Sequence, residues 1–68
     1  MAWITTITAA DGQPIKLCHR GEGIPSSMDR LQYTNPRTGN VERAVGIMAW
    51  AGTPGGDCPE GTVPVTIV

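Results

Sequence analysis

Asn35-Pro36-Arg37-Thr38-Gly39-Asn40, set between LQYT and VERAV, constrains this chain more than any other stretch. Proline presets φ near about −65° and glycine supplies a left-handed residue, so the segment reads as a hairpin loop built on a type I turn. With Asn35 opposite Asn40, Tyr33 opposes Glu42, Gln32 opposes Arg43 and Leu31 opposes Ala44. Side chains alternate along strands, so this register also assigns faces. One face carries Leu31, Tyr33, Glu42, Ala44, Met48 and Trp50; the other carries Gln32, Thr34, Val41, Arg43, Val45, Ile47 and Ala49. Both faces mix apolar and polar residues. Residues 41–50 therefore read as one long strand covered on both sides over its apolar end, as a barrel, a sandwich or a subunit interface would cover it.

A first hairpin precedes this one. WITTIT (3–8) is rich in β-branched residues, AADGQP supplies turn chemistry, and IKLCH (15–19) alternates. After residue 50, AGTPGGDCPEG (51–61) is a loop and TVPVTIV (62–68) a closing strand. Pro64 cannot donate to a ladder, which makes this an edge strand. Its apolar character calls for a cover, supplied by the N-terminal strand or by a neighbouring subunit. Between the hairpins, Ser26 and Asp29 have capping-box spacing, which allows at most one short helical turn near 26–31. The expectation is one all-β domain over 1–68: a small, mainly antiparallel five-stranded sheet, barrel or sandwich, made of two hairpins and a C-terminal edge strand.

Stability is the difficulty for such a chain. It has 68 residues, no Phe, one Tyr and two Trp, so the apolar core is thin. Small scaffolds in this position rely on a disulfide, a metal or a partner subunit. A bridge between Cys18 and Cys58 would contribute about 3–5 kcal/mol in the chain-entropy model. However, MAWITTIT has neither the basic segment nor the apolar core of a secretory signal. That places the chain in the cytoplasm, where thiols stay reduced. The expectation is two free cysteines and a homo-oligomer. No apolar run is long enough to span a membrane as a helix. With five basic and six acidic residues, the charge balance does not point to nucleic acid.

The stretch CHRGEGIPSS (18–27) gathers the residues that could carry chemistry. Cys18 and His19 are neighbours on a strand, so their side chains point to opposite faces and cannot act as nucleophile and base. Structural zinc sites show ligands paired two to four residues apart, a spacing these cysteines lack. No catalytic residue, metal or cofactor is expected. Glycine turns can present consecutive N–H groups to an anion, and an arginine can close on it as a fork. Arg20, Gly21, Gly23, Ser26 and Ser27 form that candidate loop, although Glu22 within it would repel phosphate. Arg43 could add charge and Trp50 a stacking plate.

The expected function is that of a small non-enzymatic homo-oligomer holding a small anionic ligand, such as a nucleotide, at or near subunit interfaces. One alternative is a structural or protein-interaction module, an assembly subunit or inhibitor of the kind viruses encode, docking through its edge strand. Another is a small enzyme whose site forms only in the oligomer.

Overall fold

The computed structural model describes residues 2–21, 23–26, 30–45, 49–53 and 57–68. The first hairpin pairs β1 (Ala2–Thr8) with β2 (Pro14–His19), placing Trp3 opposite His19 and Thr8 opposite Pro14. Its turn closes where the Gly12 N–H donates to the Ala9 carbonyl at 2.9 Å, with Gly12 at φ 82°. A β-branched residue could not adopt that backbone without strain. The second hairpin pairs β3 (Arg30–Thr34) with β4 (Val41–Val45). Its register is the one that the loop chemistry implied: Tyr33 opposes Glu42, Gln32 opposes Arg43 and Leu31 opposes Ala44. Three short strands follow: β5 (Ala51–Thr53), β6 (Val63–Pro64) and β7 (Thr66–Ile67).

The seven strands form two sheets, ordered β5-β1-β2-β6 and β4-β3-β7, and the described residues contain no helix. The all-β, mainly antiparallel class is as expected. The strand count differs from five because the C-terminal run splits in two and because Ala51–Thr53, expected to open a loop over 51–61, pairs with β1 as a strand of its own. Residues 41–50 do not form one strand: β4 ends at Val45, 46–48 lie outside the described residues, and the chain resumes as β5 beside β1. Val41 is 63% exposed and Arg43 is exposed, so the outer face is open at the start of β4; most of the apolar end expected to be covered on both sides lies outside the described residues. The helical turn near 26–31 meets β3 at Arg30, and residues 27–29 lie outside the described residues.

The C-terminal run breaks at Val65. β6 lies parallel to β2, with Leu17 opposite Val63, whereas β7 lies antiparallel to β3, with Leu31 opposite Ile67. The cover expected from the N-terminal strand or another subunit is thus provided by both hairpins of the same chain. Pro64 has no N–H to give, and it sits on an edge strand where none is needed on the open side. This split strand stitches the two sheets together along the seam between β2 and β3. The core lies between them: Ala9, Ile15, Leu17, Leu31 and Tyr33 are buried, with Ile7, Ala44, Trp50, Val63 and Val65 packed against them.

The expectation of free thiols is overturned. Cys18 and Cys58, 40 residues apart, form a disulfide. Cys18 is buried on the side of β2 away from Leu17, and the bridge holds the 57–58 segment against that side. The physical reason is proximity. Pairing of β2 with β6 brings the two cysteines to a Cα separation of 6.0 Å, within bridging range.

Candidate functional site: a groove between two open strand edges

Every backbone N–H and C=O needs a partner, so the ladders show where unpaired groups lie. The Asn35 N–H donates to the Asn40 carbonyl at 2.8 Å, which makes this a hydrogen-bonded pair. Antiparallel ladders alternate, so the backbone groups of Val41 and Arg43 turn away from β3. β4 is the last strand of its sheet, and these groups face an open edge. The same reasoning applies to β1. The Ala9 N–H donates to the Gln13 carbonyl at 2.8 Å, so Thr8 and Thr6 turn away from β2. β5 covers this side of β1 only from Ala2 to Ile4, which leaves Thr6 and Thr8 unpaired by any described strand.

The two open edges border one groove. It has a volume of about 830 Å³ and is lined by residues 5–10 of the first hairpin, by Glu42, Arg43 and Ala44, and by Tyr33 and Ala49. The seam on one side of the fold is closed by the split C-terminal strand. The opposite seam, between β1 and β4, is this groove. One end is crossed by the chain on its way to β5, where the Thr5 hydroxyl donates to the Ala49 carbonyl at 2.7 Å. The other end is crossed by the Ala10 N–H, which donates to Glu42 Oε1 at 3.2 Å.

Glu42 organises that second end. Its Oε1 also accepts the Tyr33 hydroxyl at 2.7 Å, and its Oε2 accepts Asn35 Nδ2 at 3.2 Å. These donors hold the Glu42 carboxyl below its ordinary range, the Tyr33 hydroxyl foremost. Burial, reinforced by the adjacent carboxylate, pushes the Tyr33 phenol up to about 12. Asn35 is fully buried, and its Oδ1 accepts the Arg37 N–H at 2.9 Å. Arg37 reaches across to the first hairpin turn and binds Asp11 Oδ2 through Nε at 2.7 Å. That bond, together with the Gln13 N–H, draws the Asp11 carboxyl down to about 2. A rigid polar clamp thus fixes the spacing of the two hairpins at the groove end.

The residues singled out from sequence are dispersed relative to this groove. Arg43 lines it; none of the other described candidates does. Arg20 is solvent-exposed and pairs with Asp57 at 3.5 Å, close to the disulfide. Gly21 lies flat against the His19 ring, where a Cβ would collide with the imidazole. Gly23 and Ser26 are exposed, and Ser27 lies outside the described residues. Trp50 packs against the core, edge-on to His19 with ring centroids 6.5 Å apart. Its Nε1, like that of Trp3, is buried without a hydrogen-bond partner among the described residues. Sequence reasoning missed Thr6, Thr8, Tyr33 and Glu42 as groove residues. The Asn35–Asn40 register already implied that Val41 and Arg43 direct their backbone outward from β3, but not that the edge stays open.

Both cysteine sulfurs are committed to the disulfide, so neither is available as a thiolate ligand or nucleophile. No helix among the described residues is long and apolar enough to cross a membrane. Comparison with protein-family models, curated proteins and solved structures finds no match for this chain.

Proposed function

We propose that the protein is a non-enzymatic interaction module that takes an extended segment of a partner protein into the β1–β4 groove by strand addition. One observation carries this reading: among the described residues, the strand edges at Thr6/Thr8 and at Val41/Arg43 have no strand paired to them, and both border the same groove. An added strand would receive main-chain hydrogen bonds from the edges and seat alternate side chains over Tyr33, Ile7 and Ala44. At ~3.3 Å per residue, the stretch from Thr5 to Ala10 offers room for a strand of about five residues. The disulfide favours work in an oxidising compartment over the cytoplasmic location expected from the opening residues.

The test uses a mixed set of blocked peptides of about eight residues, each alternating valine with polar residues. Amide resonances of the disulfide-intact protein are followed during titration. Binding should move Thr6, Thr8, Val41 and Arg43 first, and Val41→Pro should weaken it by removing an outward donor while sparing the β3 ladder. Shifts confined to residues remote from the groove, or binding indifferent to Val41→Pro, would overturn the reading.

A second reading, a homo-oligomer holding a small anion, draws on Val41 and Val68, 63% and 55% exposed, and on the Arg43 side chain at the groove rim. Native mass spectrometry separates the two. A discrete self-assembled oligomer carrying a few hundred daltons of extra mass supports the second reading, and a bare monomer supports the first.

A further inference from the structure

The outward strand positions of both sheets share one electrostatic property. On β1 and β2 these include Ile4, Thr6, Thr8, Pro14, Lys16 and Cys18; on β3 and β4 they include Arg30, Gln32, Thr34, Val41 and Arg43. Three are cations and none is a carboxylate. The other two arginines in the structure have acidic partners: Arg20 has Asp57 and Arg37 has Asp11. Lys16, Arg30 and Arg43 have none among the described residues. Their placement follows from register. Gln32 stands opposite Arg43, so Arg30 is the diagonal neighbour of Arg43 on the same face; Thr6 stands opposite Lys16. A strand in the groove would therefore have Arg43 and Arg30 on one flank of its outward face and Lys16, one strand beyond Thr6, on the other.

The inward side of the same groove has a different character. Thr5, Ile7, Ala9 and Ala44 are small or apolar, and Tyr33 is buried. A strand presents its side chains alternately to the two sides, so complementarity demands alternate acidic and apolar residues. The chain cannot supply such a segment to a second copy of itself. Its six carboxylate residues are Asp11, Glu22, Asp29, Glu42, Asp57 and Glu60, and no two of them are two or four positions apart. Self-pairing of β4 is also disfavoured in the two antiparallel registers centred on Glu42 or Arg43, since each sets like charges opposite one another.

We infer that the strand taken up by the groove belongs to a different protein and alternates acidic with apolar residues, its carboxylates lying beside Arg43, Arg30 and Lys16. This inference rests on the strand-addition reading above and specifies the partner's chemistry.

The test compares three blocked peptides of about eight residues, in which valine alternates with aspartate, serine or lysine. Each is titrated into the disulfide-intact protein and into Arg43→Glu. Arg43 is exposed and makes no hydrogen bond or ion pair among the described residues, so the variant should keep the fold; its amide spectrum checks this. The aspartate peptide should bind about tenfold tighter than the serine peptide, and the lysine peptide weakest. Arg43→Glu should lower the aspartate peptide's affinity about tenfold and raise that of the lysine peptide. Equal binding of all three peptides at the groove would overturn the acidic preference and leave strand addition standing. Failure of all three to bind would overturn strand addition itself.

Discussion

Arg37 and Asp11 sit in different hairpin turns, 26 residues apart, and form a two-point clasp with Nε on Oδ2 at 2.7 Å and Nη2 on Oδ1 at 3.0 Å. The same guanidinium donates to the carbonyls of Pro14 and Gln13, so one side chain closes the polar end of both sheets. Planar bidentate geometry is what a lysine could not reproduce there.

The clasp makes a pH prediction. Asp11 titrates at about 2 in the fold against an ordinary 3.8. A depressed carboxyl stabilises the fold above its unfolded pKa, and that contribution is lost as pH falls from about 4 to about 2. Wild type should therefore melt above Arg37→Ala at about pH 6, and the gap should narrow by about pH 2. A gap that stays constant over that range would show that the clasp is not linked to Asp11 ionisation.

The Tyr33 phenol makes the opposite prediction at high pH. Its folded pKa of about 12 exceeds the ordinary 10.0, so its contribution is present below about pH 10 and is lost as pH rises towards 12. Ultraviolet titration should show Tyr33 ionising near 12. In Glu42→Gln the midpoint should fall but remain above 10, because burial, the largest single cause, persists in the variant.

Removal of the disulfide tests what stabilises so small a core. A bridge between residues 40 apart is worth about 4 kcal/mol in the chain-entropy model, a large share of a small domain's stability. Cys18→Ser/Cys58→Ser, or the reduced wild type, should show a sharply lower urea midpoint or no folded baseline. Intact protein should weigh two hydrogens less than its sequence. An unchanged midpoint on reduction would show that burial alone suffices.

Core and edge positions should separate clearly. Leu31 is 2% exposed in the central strand of its sheet, and Leu31→Ala should cost about 2–5 kcal/mol by leaving a cavity. Val41, 63% exposed, should tolerate alanine within about 0.5 kcal/mol. Paired urea melts measure both.

Gly52 stands opposite Trp3 across the β1–β5 ladder, and a Cβ there would overlap the indole. Gly52→Ala should displace Trp3, costing about 1–3 kcal/mol and altering tryptophan emission. A variant with wild-type emission and stability would show that the ring does not press on that backbone.

By itself the sequence determined what short-range chemistry can determine. Pro36 and Gly39 set the second hairpin's loop, and with it the register that buries Leu31 and Tyr33 while exposing Thr34 and Arg43. Asp11 and Gly12 marked the turn of the first hairpin, whose register only the structure gives. These outcomes depend on neighbouring dihedral angles and on alternation with a period of two. Tertiary structure alone decided the rest. Cys18 meets Cys58, Arg37 meets Asp11, and Pro64 hands the chain from one sheet to the other because the hairpins stack in one particular way. The candidate site belongs to this second class. That β4 turns the backbone of Arg43 outward follows from register, but that the edge stays open and faces the open stretch of β1 follows only from how the sheets close. Contacts between residues 26 or 40 apart leave no local trace in sequence, because loop closure constrains separation and not identity.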